Sequence, residues 1–210
     1  MGGRLPGNSE VHAYGIYVAS GLIPWTCFVN TLLRTARVFT DKKHIITKIR
    51  VKLPLFPLYI QITEFIPFIF STIILIALTV FFGFQLSFKS IILLCFVFYI
   101  QQVLSLGLGL LFATFSVFFK DLNELLSIAV QLLFWFTPIV YTKGILPEYI
   151  MPFINLNPML HIVEAMHQIF IYNAEVDSAR LLIIFALAHI LLAISVYILR
   201  KIETDVRDFI

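Results

Sequence analysis

Long apolar stretches separated by short polar turns divide this chain of 210 residues into five segments able to cross a membrane. They lie at residues 14–33, 57–82, 91–116, 122–141 and 181–199, each near or above the roughly 20 apolar residues an α-helix needs to span a bilayer core. Between the fourth and fifth segments the pattern changes. A charged turn of Lys120, Asp121 and Glu124 precedes the fourth span, which ends at Trp135-Phe136-Thr137-Pro138. The stretch 145–156 that follows is too short to cross, and Pro147 and Pro152 interrupt it. Residues 145–172 are therefore expected as short interfacial or re-entrant helices at the far surface. After the first span, residues 41–53 read as an amphipathic helix with Asp41 as its cap. Ile45, Ile46, Ile49 and Leu53 share one stripe, and Lys42, Lys43, Lys48, Arg50 and Lys52 occupy the remainder. The fold class predicted is all-α, a single transmembrane domain over residues 1–210 with about five membrane-crossing helices.

Composition narrows the function. Hydrophobic residues make up 60% of the chain and charged residues 13%, about half the charged share of a soluble domain. The chain has no GxxxxGK[ST] loop, GxGxxG, HExxH or GxSxG motif, so residues that cradle phosphates or arm a nucleophile are missing. Any nucleotide chemistry must come from elsewhere. Cys27 and Cys95 each fall in an apolar stretch and read as small hydrophobes. The polar, Gly-rich opening MGGRLPGNSEVHA lacks the pattern of a cleavable signal peptide.

Charge sets the expected orientation. Eleven of the 15 Lys and Arg residues fall in the loop after the first span, the turn before the fourth, or the C-terminal tail. The positive-inside rule places these regions, and the C-terminus, in the cytoplasm. Five spans then put the N-terminus outside. One more helix ahead of Tyr14 would make six with both ends inside, and a missing N-terminal segment is the simpler expectation.

Several side chains invite a functional reading. Glu64, Asn30, Gln101, Gln102, Gln131 and Thr137 are polar positions along the spans, where an amide or carboxylate needs a partner or a wet cavity. They do not form a charged relay. Ser105, Gly109 and Ala113, four residues apart, suit close helix packing. Trp25, Phe28, Tyr59, Tyr99, Trp135 and Tyr141 fit either an interfacial aromatic belt or a surface on which sugar rings stack. Glu164 and His167 spell Glu-x-x-His beside His161, but a di-metal site needs a second such motif. All three read as solvated positions on a surface-lying helix. The basic helix at 41–53 suits anionic lipid headgroups or a docked cytoplasmic partner.

The runs GLIPWTCF (Gly21 to Phe28), FFKDLNELL (Phe118 to Leu126), FWFTPIVY (Phe134 to Tyr141) and LNP (Leu156 to Pro158), with the basic proline-flanked loop, resemble the membrane subunit of ABC-2 type exporters for polysaccharides and polyol phosphates. The resemblance implies a homodimer in the cytoplasmic membrane of a prokaryote, enclosing a path for a lipid-linked glycan or teichoic-acid-type polymer. It further implies two copies of an ABC ATP-binding subunit, which carry ATP and magnesium while this chain holds no cofactor. Asp41, Lys42, Lys43, Ile45, Ile46, Lys48, Ile49 and Arg50 would form the coupling helix on that ATPase. Lys120, Asp121 and Glu124 would form the cytoplasmic entrance turn, and Asn157 and Pro158 the bend of an outer gate. Trp25, Phe28, Tyr99, Gln102, Trp135 and Tyr141 are the residues expected along the substrate path. Members of the family usually begin with an amphipathic helix and a further span, so about 50 residues are expected to be missing ahead of Tyr14. An exporter of a drug or small lipid is the nearest alternative. A membrane enzyme acting on a lipid-linked substrate is a second, although Lys120, Asp121 and Glu124 are too few for its catalytic cluster. Nucleic acid is not an expected partner.

The orientation has a direct test. Single cysteines replacing Thr47 and Ser178 should react with impermeant thiol reagents from opposite membrane faces; reaction from the same face would overturn the topology.

Overall fold

The computed structural model describes residues 11–49, 51–145, 147, 149, 151–172, 174 and 176–210. Among them every regular element is helical. A long first helix, α1 (Val11–Ala36), leads into two four-residue turns, α2 (Val38–Asp41) and α3 (Lys43–Ile46), and then into α4 (Leu55–Phe81). α5 (Phe88–Ser116) and the shorter α6 (Leu122–Phe136) follow. Beyond a 3₁₀ turn at Lys143–Ile145 come α7 (Met151–Ile154) and α8 (Pro158–His167), the latter continued by a π-helical turn, Gln168–Tyr172. α9 (Ser178–Lys201) and α10 (Glu203–Phe209) complete the chain. α1, α4, α5 and α9 are long and apolar enough to cross a membrane.

Local chemistry sets the helix ends. Ser87 caps α5 by accepting from the Ser90 N–H at 3.1 Å, and Asp177 caps α9 by accepting from the Arg180 N–H at 3.2 Å. The fourth apolar segment departs from expectation: α6 has 15 residues and rises about 22 Å, less than the hydrocarbon thickness. Pro138 is the cause. It lacks an N–H and pushes the preceding Thr137 to φ −103°, ψ 122°, outside the helical region. The chain continues to Tyr141 as an irregular run.

The helix expected over 41–53 is also not continuous. α2 and α3 are separate turns, residues 51–54 are non-helical, and Asp41 closes α2 with no side-chain cap at the start of either turn. The connection has to return the chain from α1 to α4, which pack against each other. A straight 13-residue helix would be about 20 Å long, twice the usual spacing of neighbouring helices. Folding the connection splits the apolar stripe. Ile46 and Leu53 turn inward with Val38 and Phe39 against Leu199 and Val206, while Ile45 and Ile49 stay exposed.

The helices alternate in direction. The Ser116 hydroxyl donates to the Ala36 carbonyl at 2.8 Å, and the Arg207 guanidinium donates to the Val51 carbonyl at 2.5 Å. Phe118 and Phe209 meet with ring centroids 5.0 Å apart. The basic loop, the Lys120 turn and the C-terminal tail thus share one end of the bundle; Arg50, of that loop, lies outside the described residues. His12 stacks on Phe82 at 4.3 Å at the opposite end.

α5 is the central helix, packed most extensively on α9 and α1. Two glycines permit this. A Cβ on Gly109 would lie 2.7 Å from the Thr35 Cβ of α1, and one on Gly107 would lie 3.0 Å from the Leu192 backbone nitrogen of α9. Phe28, Leu32, Ile100, Leu104, Met159 and Ile162 fill the core around them. The Gly109→Ala variant should therefore lose about 1–3 kcal/mol from overpacking. Gly15→Ala, with nothing within 4 Å, should gain up to about 1 kcal/mol of helix propensity. Thermal unfolding in detergent measures both; an equal rise for the two would contradict the close α1–α5 approach.

Candidate functional site

Three groups of polar side chains stand out, one at each end of the bundle and one at membrane depth. At the end away from the basic loop, the irregular run after α6 exposes carbonyls that have lost their helical partners. α1 supplies donors: the Tyr14 hydroxyl reaches the Val140 carbonyl at 3.1 Å and the Tyr17 hydroxyl the Tyr141 carbonyl at 2.9 Å. Thr137 and Asn157 tie this run to the short helices. The Asn157 amide donates to Thr137 Oγ1 at 2.9 Å, and its oxygen accepts from the Met159 N–H at 3.0 Å, capping α8 with Pro158 in its first turn. His167 stacks on Tyr17 with ring centroids 3.8 Å apart. It is 3% exposed, not solvated as its place in the sequence suggests. Burial pushes the imidazole down to about 4, against a weaker upward pull from the Tyr17 backbone. A Cβ on Gly21 would come within 2.9 Å of His167 Nε2, so this glycine makes room for the ring. On the outer side of α8, Lys143 pairs with Glu164 at 2.7 Å.

At membrane depth, Glu64 is 7% exposed on α4 and its carboxylate accepts from the guanidinium of Arg34 on α1. Arg34, counted in the sequence as a loop cation, thus reaches back along its helix. Gln61 donates to the Gln102 carbonyl at 2.8 Å, and the Gln102 amide donates to Cys27 Sγ at 3.2 Å. Gln101 donates to the Pro24 carbonyl at 2.9 Å. Most of the intramembrane amides therefore link α1, α4 and α5 rather than line a lumen.

The basic end presents a broad face. Asp41, Lys43, Lys48, Lys120, Asp121 and Glu124 are exposed there and Lys42 is half-buried. Ile45 and Ile49 are 42% and 57% exposed, one helical turn apart. A recess of about 420 Å³ separates α3 from the turn before α6, lined by Thr40, Lys43, Ser116, Lys120, Asn123 and Phe209.

The aromatic residues expected along a substrate path do not form one surface. Trp25 and Phe28 are buried, with Trp25 5.6 Å from Phe134 and 6.0 Å from Phe28 between ring centroids, so they prop α1 against α6. Gln102 is buried as well. Tyr99 is exposed and its hydroxyl lies 3.0 Å from His189 Nε2. Trp135 is 62% exposed, and the half-buried Tyr141 donates to its carbonyl at 2.6 Å. Tyr14, Tyr17 and the pairing of Arg34 with Glu64 escaped the sequence reading, which also took the buried His167 for a solvated position; Glu64 in an apolar span was the one available signal, and its partner 30 residues away was not.

Residues 4–171 match the family model described as ABC-2 type transporter. Curated relatives are similar along most of their length. An O-antigen export system permease protein RfbA of Klebsiella pneumoniae is 23% identical over 194 residues, 92% of this chain and 74% of that protein. The protein of the same name from Myxococcus xanthus is 25% identical over 187 residues, 88% of this chain and 72% of its own.

Two predictions test this geometry. Because His167 is harder to protonate when folded, stability should be full above about pH 6.5 and fall as pH drops toward 4. His167→Phe should flatten that slope in thermal unfolding, and an unchanged slope would mean the imidazole is not buried. Arg34→Ala should cost about 3 kcal/mol by stranding the Glu64 carboxylate. The double variant Arg34→Met/Glu64→Leu should recover most of it.

Proposed function

This chain belongs to the ABC-2 type transporter family, and from that membership we infer that it is the permease subunit of an ATP-driven exporter carrying a lipid-linked polysaccharide or teichoic-acid-type polymer outward across the cytoplasmic membrane of a prokaryote. The family match over residues 4–171 carries the reading. The relatives' names supply the polysaccharide, being those of O-antigen export permeases. The chemistry of the chain is consistent with a subunit that moves a substrate and leaves hydrolysis to another protein, since it has no phosphate-cradling loop.

In this reading the basic end faces the cytoplasm, together with the C-terminus, and seats on an ABC ATP-binding subunit that holds ATP and magnesium. Two copies of each subunit make the transporter, with the polymer path bounded by both permeases. The split connection between α1 and α4 is the coupling element. Its exposed pair, Ile45 and Ile49, fits an apolar pocket on the ATPase, and the surrounding lysines supply charge complementarity. Ile46 and Leu53 are buried against α9 and α10, so a push on the exposed side chains passes directly into the bundle. Lys120, Asp121 and Glu124 border the same face and form its entrance turn. Asn157 and Pro158, with the Tyr17–His167 stack, form the bend of the outer gate. The exposed apolar flanks of α4 and α9 contact the bilayer.

The tagged chain, purified from native membranes in mild detergent, should carry a stoichiometric Walker-motif ATPase, and deleting the gene should leave lipid-linked glycan on the cytoplasmic side. Export unaffected by the deletion would overturn the reading. Ile45→Asp/Ile49→Asp should cut export by about tenfold or more while the protein remains in the membrane, because a carboxylate in an apolar pocket is left unpaired. Normal export with both changes would remove the coupling role.

A further inference from the structure

Among the outward faces of the long helices, α1 gathers several polar side chains on one stripe. On α9 the exposed positions over most of the helix are apolar, among them Leu182, Ile183, Leu187, Ile190 and Ile194, with Tyr197 near its basic end, and the far side of α4 shows Ile66, Phe70, Ile73 and Ile74. On α1 they include Leu22 but also Thr26, Asn30 and Arg34, each four residues after the last and so on one stripe. Where this stripe meets α4 there is a crevice of about 70 Å³ lined by Thr26, Cys27, Asn30, Glu64, Phe68 and Ser71. Such a volume holds about two waters.

The polar groups there are not consumed by the fold. The Thr26 hydroxyl donates back to the Ile23 carbonyl at 3.0 Å, which leaves its oxygen free to accept. The Asn30 amide and the Ser71 hydroxyl make no hydrogen bond among the described residues. Against lipid, an unpaired amide and hydroxyl would each carry a desolvation cost with no return. Glu64 at the floor is fixed by Arg34, which leaves a carboxylate at membrane depth with a rigid position. Donors and acceptors of both kinds, one turn apart on α1 with Ser71 of α4 in the same crevice, fit a chain of hydroxyls better than a single ion or an apolar molecule.

We propose that the α1–α4 crevice is a sugar-contacting subsite, in which Thr26, Asn30 and Ser71 exchange hydrogen bonds with the hydroxyls of the passing glycan and Arg34 positions the Glu64 carboxylate behind them. The proposal rests on the exporter reading above. It adds a polar contact surface to a chain whose expected aromatic path residues do not share one surface. The crevice is only partly enclosed, which suits a polymer that must move on, because each hydroxyl meets a partner without being sealed in.

The test uses the full chain with its native partners in cells. Asn30→Cys, Ser71→Cys and the lipid-facing control Ile74→Cys are each placed in a Cys27→Ala/Cys95→Ser background and treated with a water-soluble methanethiosulfonate. The first two should react about tenfold faster than the control, since only a wetted thiol forms the reactive thiolate. Supplying lipid-linked glycan, by switching its synthesis on, should slow that reaction while leaving the control unchanged. Asn30→Leu should lower the export rate about fivefold, the equivalent of one lost hydrogen bond. Reaction at the control rate would show that lipid or another helix covers this face, and reaction indifferent to glycan would show a wet crevice that sugar does not enter; either overturns the proposal. Gene deletion in the same strain separates this from the broader reading. If deletion blocks export and the crevice results are negative, only the subsite falls; if deletion leaves export intact, the exporter reading falls with it.

Discussion

The bundle depends on how closely α5 can approach α1. In hydrocarbon the usual gain from burying apolar surface between helices is absent, so helices associate through packing and through hydrogen bonds that have no competing water. Gly109 supplies the first by letting the Thr35 side chain sit against bare backbone. Gln101 and Ser116 supply the second, reaching the carbonyls of Pro24 and Ala36. Gly107 and Ser195 repeat the arrangement toward α9, with the Ser195 hydroxyl 2.8 Å from the Gly107 carbonyl. One helix thus holds two neighbours at close range, on faces set by glycines two residues apart and so about 160° from each other.

That arrangement determines what the ends can do. With α1 fixed, Tyr14 and Tyr17 stand where α6 ends, and they satisfy carbonyls that Pro138 has released from the helix. The irregular run is therefore anchored without being helical, and Asn157 extends the anchor to α8 through Thr137. Movement of the short outer helices would disturb these bonds, the Tyr17–His167 stack and the packing of α8 on α1. At the other end the connection from α1 to α4 folds over the ends of α5 and α9, so the exposed Ile45 and Ile49 rest directly on the packed core through Ile46. Both ends act on the same helix, α1.

Polar residues at membrane depth divide into two kinds. Gln61, Gln101 and Gln102 are spent on contacts between helices. Thr26 and Asn30 share an outward stripe of α1 and line a crevice with Ser71 of α4 beside a fixed carboxylate. An amide costs free energy in hydrocarbon unless it has a partner. The first group has one within the chain, whereas Asn30 and Ser71 have none among the described residues.

The apolar runs, prolines and charge distribution were enough to establish an all-helical membrane protein, the approximate limits of its long helices, the grouping of its cations at one end and, through a handful of motifs, its family. These are local properties: a run of 20 apolar residues has few alternatives to a helix, and Pro138 or Ser87 acts on its own backbone. Tertiary structure alone decided that Trp25, Phe28 and His167 are buried, that Arg34 belongs to Glu64, and that the stripe expected over 41–53 splits so that only Ile45 and Ile49 face out. Each of these depends on which surface a neighbouring helix covers. Helical periodicity says which side chains share a face, but in a chain this apolar it does not say whether that face meets lipid, protein or substrate.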